Sequence, residues 1–318
     1  MSKPLVTIGI TTFNAEETVA MAVQSALKQS WVSLEIIIVD DASSDRTREI
    51  LFEIKSQHSN VKVFINDNNG GVAIARNRIL EEANGEFIVF FDDDDTSEIT
   101  RIVEQYDRIV NYEREFANGA PVICHTARKQ IYPNGEERIE PTMGQIEGRC
   151  APAGKFVSRR ILLGMPLEDG YGACPTCSQM ARLSTYNLIG GFDPMLRRSE
   201  DTDFNIRLAE VGGHFVGIGK PLVIQAMTKT SEKNLAEEYR NLLYMMEKHR
   251  EIMDESGQYD YCRQWVSAKQ AFFEGSNFIL VKKMLWLILW HPILSWRRLV
   301  LALPNLGFNR AHRKFHKQ

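Results

Sequence analysis

Continuously apolar runs alternate with amphipathic stretches over the first hundred residues. These runs predict strands that are buried on both faces, at residues 5–11, 34–39, 61–65 and 86–91. The stretches between them have a helical period and predict helices at residues 14–29, 46–56 and 72–83. The first helix is expected to open with a capping box, Asn14-Ala-Glu-Glu17. Strand–helix alternation with short connections predicts an α/β fold with a mostly parallel, doubly wound, Rossmann-like sheet.

The fourth strand leads directly into four aspartates, Asp92, Asp93, Asp94 and Asp95. Buried carboxylates lose their hydration at a large cost, so a cation is expected beside them. Asp92 and Asp94 stand at alternate positions, and both can offer oxygen to a divalent ion such as Mg²⁺ or Mn²⁺. The alternative is a solvated acidic turn in which Asp95 or Thr96 caps the next helix, which is predicted to run from Glu98 to Glu115.

Polar residues also follow two other strands, as Thr11-Thr12-Phe13-Asn14 and as Asp40-Asp41. Right-handed crossovers bring the carboxyl ends of parallel strands to one edge of the sheet, so these groups are expected to form one acidic cleft. The first strand is followed by neither a G-x-x-x-x-G-K-[ST] loop nor a G-x-G-x-x-G loop. A nucleotide in this cleft would therefore be held through a metal ion and side chains.

The periodic pattern weakens after residue 115. A strand is expected at residues 121–125, a hairpin turn at 131–135, and a pocket-shaping loop at 164–177. Cys174 and Cys177 in this loop have the spacing of zinc ligands. A structural zinc site needs four ligands, and no second pair completes it, so packing in the loop is the favoured interpretation.

Three acids in four residues, Glu200, Asp201 and Asp203, open a further helix. The helix dipole favours acids in a first turn, which is a sufficient structural reason for them. The second interpretation is that one of them faces the cleft as a general base while the others cap or support it.

The composition is that of an ordinary globular protein, with 318 residues, 44% hydrophobic and 25% charged. A formal net charge of −3 and a pI near 6.2 argue against a nucleic-acid partner. Five cysteines are an odd number, which indicates a reducing compartment rather than a disulfide framework. The chain runs from Met1 into the first strand without an apolar leader, so a cytoplasmic location is expected.

Residues 226–318 are predicted to form a helical region, with helices at 234–250 and 259–281. The apolar runs after Lys282 are too short to span a bilayer. With its basic flanks and the basic tail at 310–317, this last segment suits an interfacial helix on an anionic membrane surface, at the inner face of the membrane. A helix docked on the catalytic domain and a homo-oligomer contact are the alternatives. The aromatic anchors would be Trp286, Trp290 and Trp296.

Six segments together resemble the family 2 inverting glycosyltransferases, which share the GT-A fold. They occur in the family's order, at residues 6–14, 38–47, 69–77, 83–95, 190–193 and 200–201. The resemblance covers roughly the first two thirds of the chain. It implies a GT-A domain at 1–225, with a nucleotide-binding half at 1–115 and an acceptor half at 116–225, followed by the helical C-terminal extension.

The same resemblance implies roles for residues that bind the nucleotide. Asp40 or Asp41 would hydrogen-bond a uracil-type base, helped by Thr11 and Thr12. Arg76 would approach the nucleotide or its pyrophosphate, as a rigid cationic fork suits. The alternative for this arginine is a surface charge on a helix.

The acidic run would supply the family's D-x-D element. Asp92 and Asp94 would bind the divalent metal, Mn²⁺ or Mg²⁺, with Asp94 touching it directly. Asn14, Asp92 and Asp93 are also grouped with the nucleotide-binding candidates. Because the aspartate run is four residues long, the choice of metal pair stays open.

Asp201 would be the catalytic base that deprotonates the acceptor hydroxyl, with Glu200 and Asp203 as supports. The resemblance implies an inverting transfer of a sugar from a nucleotide sugar, UDP-linked by preference, to a glycan or lipid-linked acceptor. A surface-polysaccharide pathway suits this combination. A nucleotidylyltransferase and a non-catalytic sugar-nucleotide-binding or scaffold protein are the alternatives.

Overall fold

The computed structural model describes residues 3–227 and 235–302. The chain divides into two compact units. Unit 1 comprises Met1–Ser158 and Pro166–Met227, and unit 2 comprises Arg159–Met165 and Thr228–Gln318. The sequence predicts a C-terminal region that begins at residue 226. In the structure, residues 159–165 also belong to unit 2. The division of function between residues 1–225 and 226–318 stays a prediction.

Unit 1 contains a nine-stranded sheet whose first four strands are parallel and lie in the order β3-β2-β1-β4. Their bounds are β1 (Val6–Thr12), β2 (Leu34–Asp40), β3 (Val61–Ile65) and β4 (Phe87–Asp92). Most of their apolar side chains are buried, as continuous apolar runs predict. The predicted parallel sheet is confirmed in this half.

One helix connects each successive pair of these strands. The prediction that α1 opens with a capping box at Asn14 is wrong, because the helix begins at Val19. The side chain of Asn14 instead accepts a hydrogen bond from the Ser44 amide, and that of Glu16 accepts one from the Arg46 amide. Both side chains therefore connect the segment after β1 to the segment after β2. The bounds are α1 (Val19–Leu27), α2 (Thr47–Gln57) and α3 (Val72–Glu82).

The other five strands form a mixed half of the same sheet, which continues from β4 in the order β8-β6-β9-β5, with β7 paired to β6. β8 runs antiparallel to β4 and β6, whereas β6 and β9 are parallel. β6 and β7 form the hairpin predicted at 131–135. The bounds are β5 (Asp95–Ser97), β6 (Val122–Ile131), β7 (Glu137–Glu140), β8 (Gln179–Arg182) and β9 (His214–Ala226).

The segment after β4 corrects the alternative interpretation of the acidic run. Asp95 and Thr96 cap no helix, because they belong to β5 and pair with β9. The next helix is α4 (Arg101–Tyr112), which continues as a π-helical turn, Glu113–Ala117. It begins later than the predicted Glu98, since that residue follows β5 directly.

Two further helices of unit 1 lie between β8 and β9 along the chain, α6 (Leu183–Ile189) and α7 (Glu200–Glu210). An earlier helix, α5 (Lys155–Leu163), contributes residues to both units.

Unit 2 is helical, as predicted. Its bounds are α8 (Leu235–Lys248), α9 (Arg250–Asp254), α10 (Tyr259–Glu274), α11 (Asn277–Trp290) and α12 (Pro292–Ala302). The single helix predicted at 259–281 is two helices, because the chain turns through a left-handed Gly275. Within the described residues, no helix is long and apolar enough to cross a membrane. The predicted basic tail at 310–317 lies outside the described residues.

Candidate active site

The carboxyl ends of β1, β2 and β4 meet at one edge of the sheet. In the parallel register, Thr12 lies opposite Asp40, and Thr11 lies opposite Asp92. The expectation that the polar strand ends come together is confirmed. Thr12 is buried and Thr11 is half-buried between the two acidic segments.

Asp41 is buried and receives hydrogen bonds on both carboxylate oxygens. Its Oδ1 accepts from Asn66 Nδ2 at 2.9 Å and from the Gly70 amide at 3.1 Å. Its Oδ2 accepts from the Gly71 amide at 2.7 Å. Gly71 has a φ of 92°, which favours glycine, and α3 begins at the next residue. Asp41 therefore fixes the loop that leads into α3.

Asp40 is also buried, but only one of its oxygens has a partner among the described residues. Oδ2 accepts from the Ser43 amide at 3.0 Å and from Arg48 Nε at 2.9 Å. Oδ1 is buried and unpartnered. Buried acceptors are normally hydrogen-bonded, so this oxygen is an exception among the buried acceptors of the site.

Asn14 lies at the end of β1 with a left-handed backbone, at a φ of 50°. Its amide donates to Ser43 Oγ at 2.9 Å, and its Oδ1 accepts from the Ser44 amide at 2.8 Å. These bonds join the ends of β1 and β2. The role of Asn14 in nucleotide binding stays a prediction.

The acidic run after β4 is crowded. Burial, with the charges of Asp92 and Asp94, raises the pKa of Asp93 to about 7, although a hydrogen bond from the Phe13 amide opposes the shift. Burial and the Asp92 charge raise the pKa of Asp94.

Asp95 shows the same effect further along the run. Burial, followed by the charges of Asp92 and Asp94, raises its pKa to about 8. A cation bound beside this run would lower these pKa values again.

Three candidate ligands at this edge have atoms that all lie within 4.8 Å of one another, namely Asp92, Asp95 and Cys177. Gln225 Nε2 donates to Asp95 Oδ2 at 3.0 Å and lies 3.6 Å from Cys177 Sγ. Burial raises the pKa of Cys177, which keeps the thiol neutral. Asp94 is not a member of this group, so the assignment of Asp92 and Asp94 as the metal pair stays a prediction.

The carboxylates of this set, without the Cys177 thiol, fit a hard divalent ion. Mn²⁺ and Mg²⁺ take carboxylate oxygens, and Asp92 remains one-third exposed at the strand end. The raised pKa values of Asp93, Asp94 and Asp95 indicate carboxylates that would ionise more readily beside a cation.

Arg76 on α3 links the end of β4 to the start of α7. Its Nη1 donates to Glu200 Oε1, and its Nη2 lies 3.5 Å from Asp92 Oδ1. The guanidinium also lies over the rings of Phe90 and Phe192, at 5.9 and 5.5 Å from their centroids. The alternative of a surface charge is wrong, because Arg76 is buried. Its contact with a nucleotide stays a prediction.

The loop before α7 is attached to α3 through Asn77. Asn77 Nδ2 donates to the Phe192 carbonyl, and Asn77 Oδ1 accepts from the Phe192 amide, each at 2.7 Å. Gly191 has a φ of 71°, and a Cβ there would lie 2.5 Å from Asn77 Oδ1. Gly191 of the 190–193 segment therefore permits this close approach.

The three acids at the start of α7 differ in their surroundings. Glu200 is buried against Arg76, while burial raises its pKa and the arginine opposes that shift. Asp203 is buried and accepts from Arg207 Nε at 2.8 Å. Asp201 is half-buried, and its Oδ1 accepts from the Thr202 amide at 2.6 Å. This difference supports Asp201 as the base and its neighbours as supports, and the assignment stays a prediction.

Three residues of the site are absent from the sequence-based set. Cys177 lies just before β8, and Gln225 lies on β9, which pairs with β5. Arg101 on α4 is fully buried, donates to the Phe90 carbonyl at 2.9 Å, and has its pKa lowered by burial to about 10. Cys177 ends the predicted pocket-shaping loop at 164–177, whereas no local pattern identifies Gln225 or Arg101, since long-range packing brings them beside the acidic run.

The family model described as Glycosyl transferase family 2 matches residues 7–164. The chain belongs to this family. The matched segment contains both acidic strand ends and stops before Asp201. The resemblance seen in the sequence motifs is therefore confirmed.

Similar proteins add to this result. An Escherichia coli protein, UDP-Glc:alpha-D-GlcNAc-diphosphoundecaprenol beta-1,3-glucosyltransferase WfgD, is 40% identical over 95 residues, which are 30% of this chain and 37% of that protein. The match covers between 37% and 52% of the length of this and two other curated relatives, so the chain spans only about a third to a half of them.

Two solved structures resemble the fold. TarS 1–349 of S. aureus, in complex with UDP-GlcNAc, has a TM-score of 0.57 at 16% identity, covering 98% of this chain and 90% of that one. The mannosyltransferase PcManGT from Pyrobaculum calidifontis, in complex with GDP-Man and Mn²⁺, has a TM-score of 0.54 at 15% identity, covering 93% and 83%. At such identities the likeness concerns the fold, and the predicted GT-A fold with a helical C-terminal extension is confirmed.

Proposed function

We propose that the chain is an inverting glycosyltransferase that transfers a sugar from a UDP-sugar to a glycan or lipid-linked acceptor. The observation that carries the proposal is the sheet edge at which a crowded acidic run lies beside the unpartnered oxygen of Asp40. The first feature suits a metal-bound diphosphate, and the second suits an N–H group of a base. Family membership supports the assignment of this chemistry to sugar transfer.

The donor and acceptor classes are supported by similar proteins. The printed name of WfgD contains a UDP-sugar donor and a diphosphoundecaprenol acceptor, and TarS is bound to UDP-GlcNAc. A GDP-sugar is the competing donor class, since PcManGT is bound to GDP-Man. We propose a UDP-sugar and a role in surface-polysaccharide synthesis. The proposed location is the cytoplasm, at the inner face of the membrane.

The proposed reaction is a single displacement at the anomeric carbon. Asp201 accepts the proton of the acceptor hydroxyl while the hydroxyl oxygen forms the new glycosidic bond. The bond between the anomeric carbon and the diphosphate breaks on the opposite face, and its electron pair leaves with the nucleoside diphosphate. A divalent ion held by Asp92 and Asp94 would supply positive charge beside that leaving group.

Arg76 and the β-strand ends would position the reactants. Arg76 fixes Glu200 and therefore the start of the helix that carries Asp201. Asp40 would accept a hydrogen bond from the base through Oδ1, while Asp41 holds the adjoining loop. The two reacting centres are then held by α3, α7 and the sheet rather than by flexible loops.

A donor screen tests the proposal. The full chain is incubated with UDP-glucose, UDP-GlcNAc and GDP-mannose in turn, with Mn²⁺, Mg²⁺ or EDTA, and the released nucleotide is measured. We expect UDP release from a UDP-sugar with a divalent ion and none in EDTA.

The other outcomes separate the alternatives. Release of GDP alone would show that the donor class is wrong. Exchange of pyrophosphate with the nucleotide would indicate a nucleotidylyltransferase. Tight UDP binding without turnover, with and without glycan or lipid-linked acceptors, would indicate a binding or scaffold protein.

A further inference from the structure

Unit 2 exposes large apolar side chains along α11 and α12. Single exposed apolar residues are ordinary, but this many on two consecutive helices indicate an interaction surface. The most exposed members, with their exposed fractions, are Phe278 (83%), Ile293 (82%), Leu289 (75%), Trp296 (71%) and Trp290 (70%).

The exposed residues of α11 follow a helical stripe. Phe278, Val281, Leu285 and Leu289 are spaced by three or four residues, so they lie along one side of the helix. The opposite side packs into the core of unit 2 through Leu280, Met284 and Leu287. The inner side of α11 thus stabilises unit 2, and the outer side is exposed. We call the five residues named above, with Val281 and Leu285, the α11–α12 face.

The charged side chains along this segment of the sequence are of one sign. After Glu274 the sequence contains no Asp or Glu, although the whole chain has a net charge of −3. Lys282 is exposed within the α11 stripe. The eight Lys and Arg residues of this segment are Lys282, Lys283, Arg297, Arg298, Arg310, Arg313, Lys314 and Lys317.

One of these basic residues belongs to the interior of unit 2. Arg298 donates to the carbonyls of Leu162 and Leu163 and lies 5.3 Å from the ring centroid of Tyr261. It therefore holds unit 2 together and is unavailable to a partner.

The length of α11 limits the ways in which it could contact a bilayer. α11 has 14 residues, or about 21 Å at 1.5 Å per residue, whereas the hydrocarbon core of a bilayer is about 30 Å thick. Pro292 then begins a separate helix. A surface of this length, with tryptophans and basic residues, suits the interfacial zone.

We propose that the α11–α12 face binds the surface of an anionic lipid bilayer, with its apolar side chains in the interfacial zone and Lys282 and Arg297 beside the headgroups. A second copy of the chain is the weaker candidate. A two-fold interface would bring the same basic, acid-free segment against itself, and like charges repel. The proposal deepens the proposed function, since a lipid-linked acceptor lies at a bilayer, and its test measures binding without turnover.

Vesicle flotation of the full chain tests the proposal. The probes are phosphatidylcholine vesicles with and without phosphatidylglycerol, at low and high salt. We expect flotation with the anionic vesicles, and weaker flotation at high salt because salt screens the basic residues. Failure to float with anionic vesicles at low salt overturns the proposal.

Matched variants locate the binding surface. Phe278→Glu with Leu289→Glu should lower the bound fraction by at least ~10-fold, because the variant loses apolar area and gains negative charge. The control is Phe52→Glu with Leu188→Glu, which makes the same change at two exposed residues of unit 1 and should leave flotation unaltered. Equal flotation of the two double variants overturns the proposal.

A charge variant and a mass measurement complete the test. Lys282→Gln should weaken binding to anionic vesicles only, whereas Lys55→Gln, at an exposed position of α2, should not. Sedimentation equilibrium gives the mass of the free chain. A dimer that becomes a monomer in the Phe278→Glu, Leu289→Glu variant, without lipid binding by the parent chain, assigns the face to a second copy and overturns the proposal.

Discussion

Two acidic strand ends lie on the same edge of the sheet, and their surroundings differ. At the end of β2, Asp41 receives three hydrogen bonds, and Asp40 receives a guanidinium and an amide. After β4, Asp93 and Asp95 have pKa values raised to about 7 and about 8, by burial and by neighbouring carboxylates. Asp41 is hydrogen-bonded on both carboxylate oxygens and Asp40 on one, whereas the group after β4 is crowded by its own carboxylates.

The difference separates a structural acid from a site. A buried carboxylate with full hydrogen bonding stabilises the fold, and its loss leaves donors unsatisfied. A crowded carboxylate costs stability and persists where function needs it. Substitution of aspartate by asparagine should therefore have opposite effects on stability at the two strand ends.

The largest expected effect is on turnover, in Asp94→Asn. Loss of a metal-binding carboxylate should lower metal-dependent transfer by at least ~10³-fold, since Lewis-acid charge stabilisation is worth several kcal/mol. In EDTA the variant should melt no lower than the parent, because one repulsive charge is gone. Turnover is measured by UDP release and stability by thermal melting. Full activity of the variant would show that Asp94 is not the metal residue.

Asp201→Asn should have the next largest effect. The transfer rate should fall by at least ~10²-fold, as loss of a general base commonly causes. Metal-dependent UDP affinity should remain, since Asp201 lies on α7 and not at the acidic strand ends. The two quantities are measured by product formation and by calorimetry. Loss of UDP binding with intact transfer would reverse the roles given to Asp94 and Asp201.

Asp41→Asn tests how much the hydrogen-bonded aspartate after β2 stabilises the fold. The amide would place an N–H group against one of the donors that Asp41 now satisfies, so the free energy of unfolding should fall by about 2–3 kcal/mol. Urea denaturation measures this loss. Asp67→Asn, at an exposed position after β3, is the matched control and should change little. Equal stability of the two variants would mean that the hydrogen bonds of Asp41 contribute nothing.

The sequence predicts the strand ends because buried parallel strands are continuously apolar and stop where polar residues begin. The meeting of these ends at one edge follows from that pattern and from right-handed crossovers, whereas the register that places Thr11 beside Asp92 comes from the structure. The sequence does not predict which aspartates receive hydrogen bonds within the protein. The partners of Asp41 follow β3 and lie at least 25 residues away along the chain.

The second half of the sheet is less predictable for a physical reason. β8 is short and lies antiparallel between β4 and β6, so no repeated strand–helix pattern announces it. Its position brings Cys177 to the acidic run, and the pairing of β5 with β9 brings Gln225. The capping box at Asn14 fails for a similar reason, since long-range bonds to Ser44 compete with a local helix start.

The smallest expected effect is the pH dependence of stability, which tests whether the acidic run lacks a cation. The pKa values of Asp93 and Asp95 are raised in the folded protein, from 3.8 to about 7 and about 8, so the folded state binds more protons than the unfolded state between pH 4 and pH 8. Stability must then fall as pH rises through this window. In EDTA the melting temperature should drop by several degrees from pH 6 to pH 8.5. Mn²⁺ should raise the melting temperature more at pH 8.5 than at pH 6, because fewer protons must leave the carboxylates when the ion binds. Asp93→Asn should flatten the profile, and a melting temperature that rises with pH in EDTA would contradict the raised pKa values.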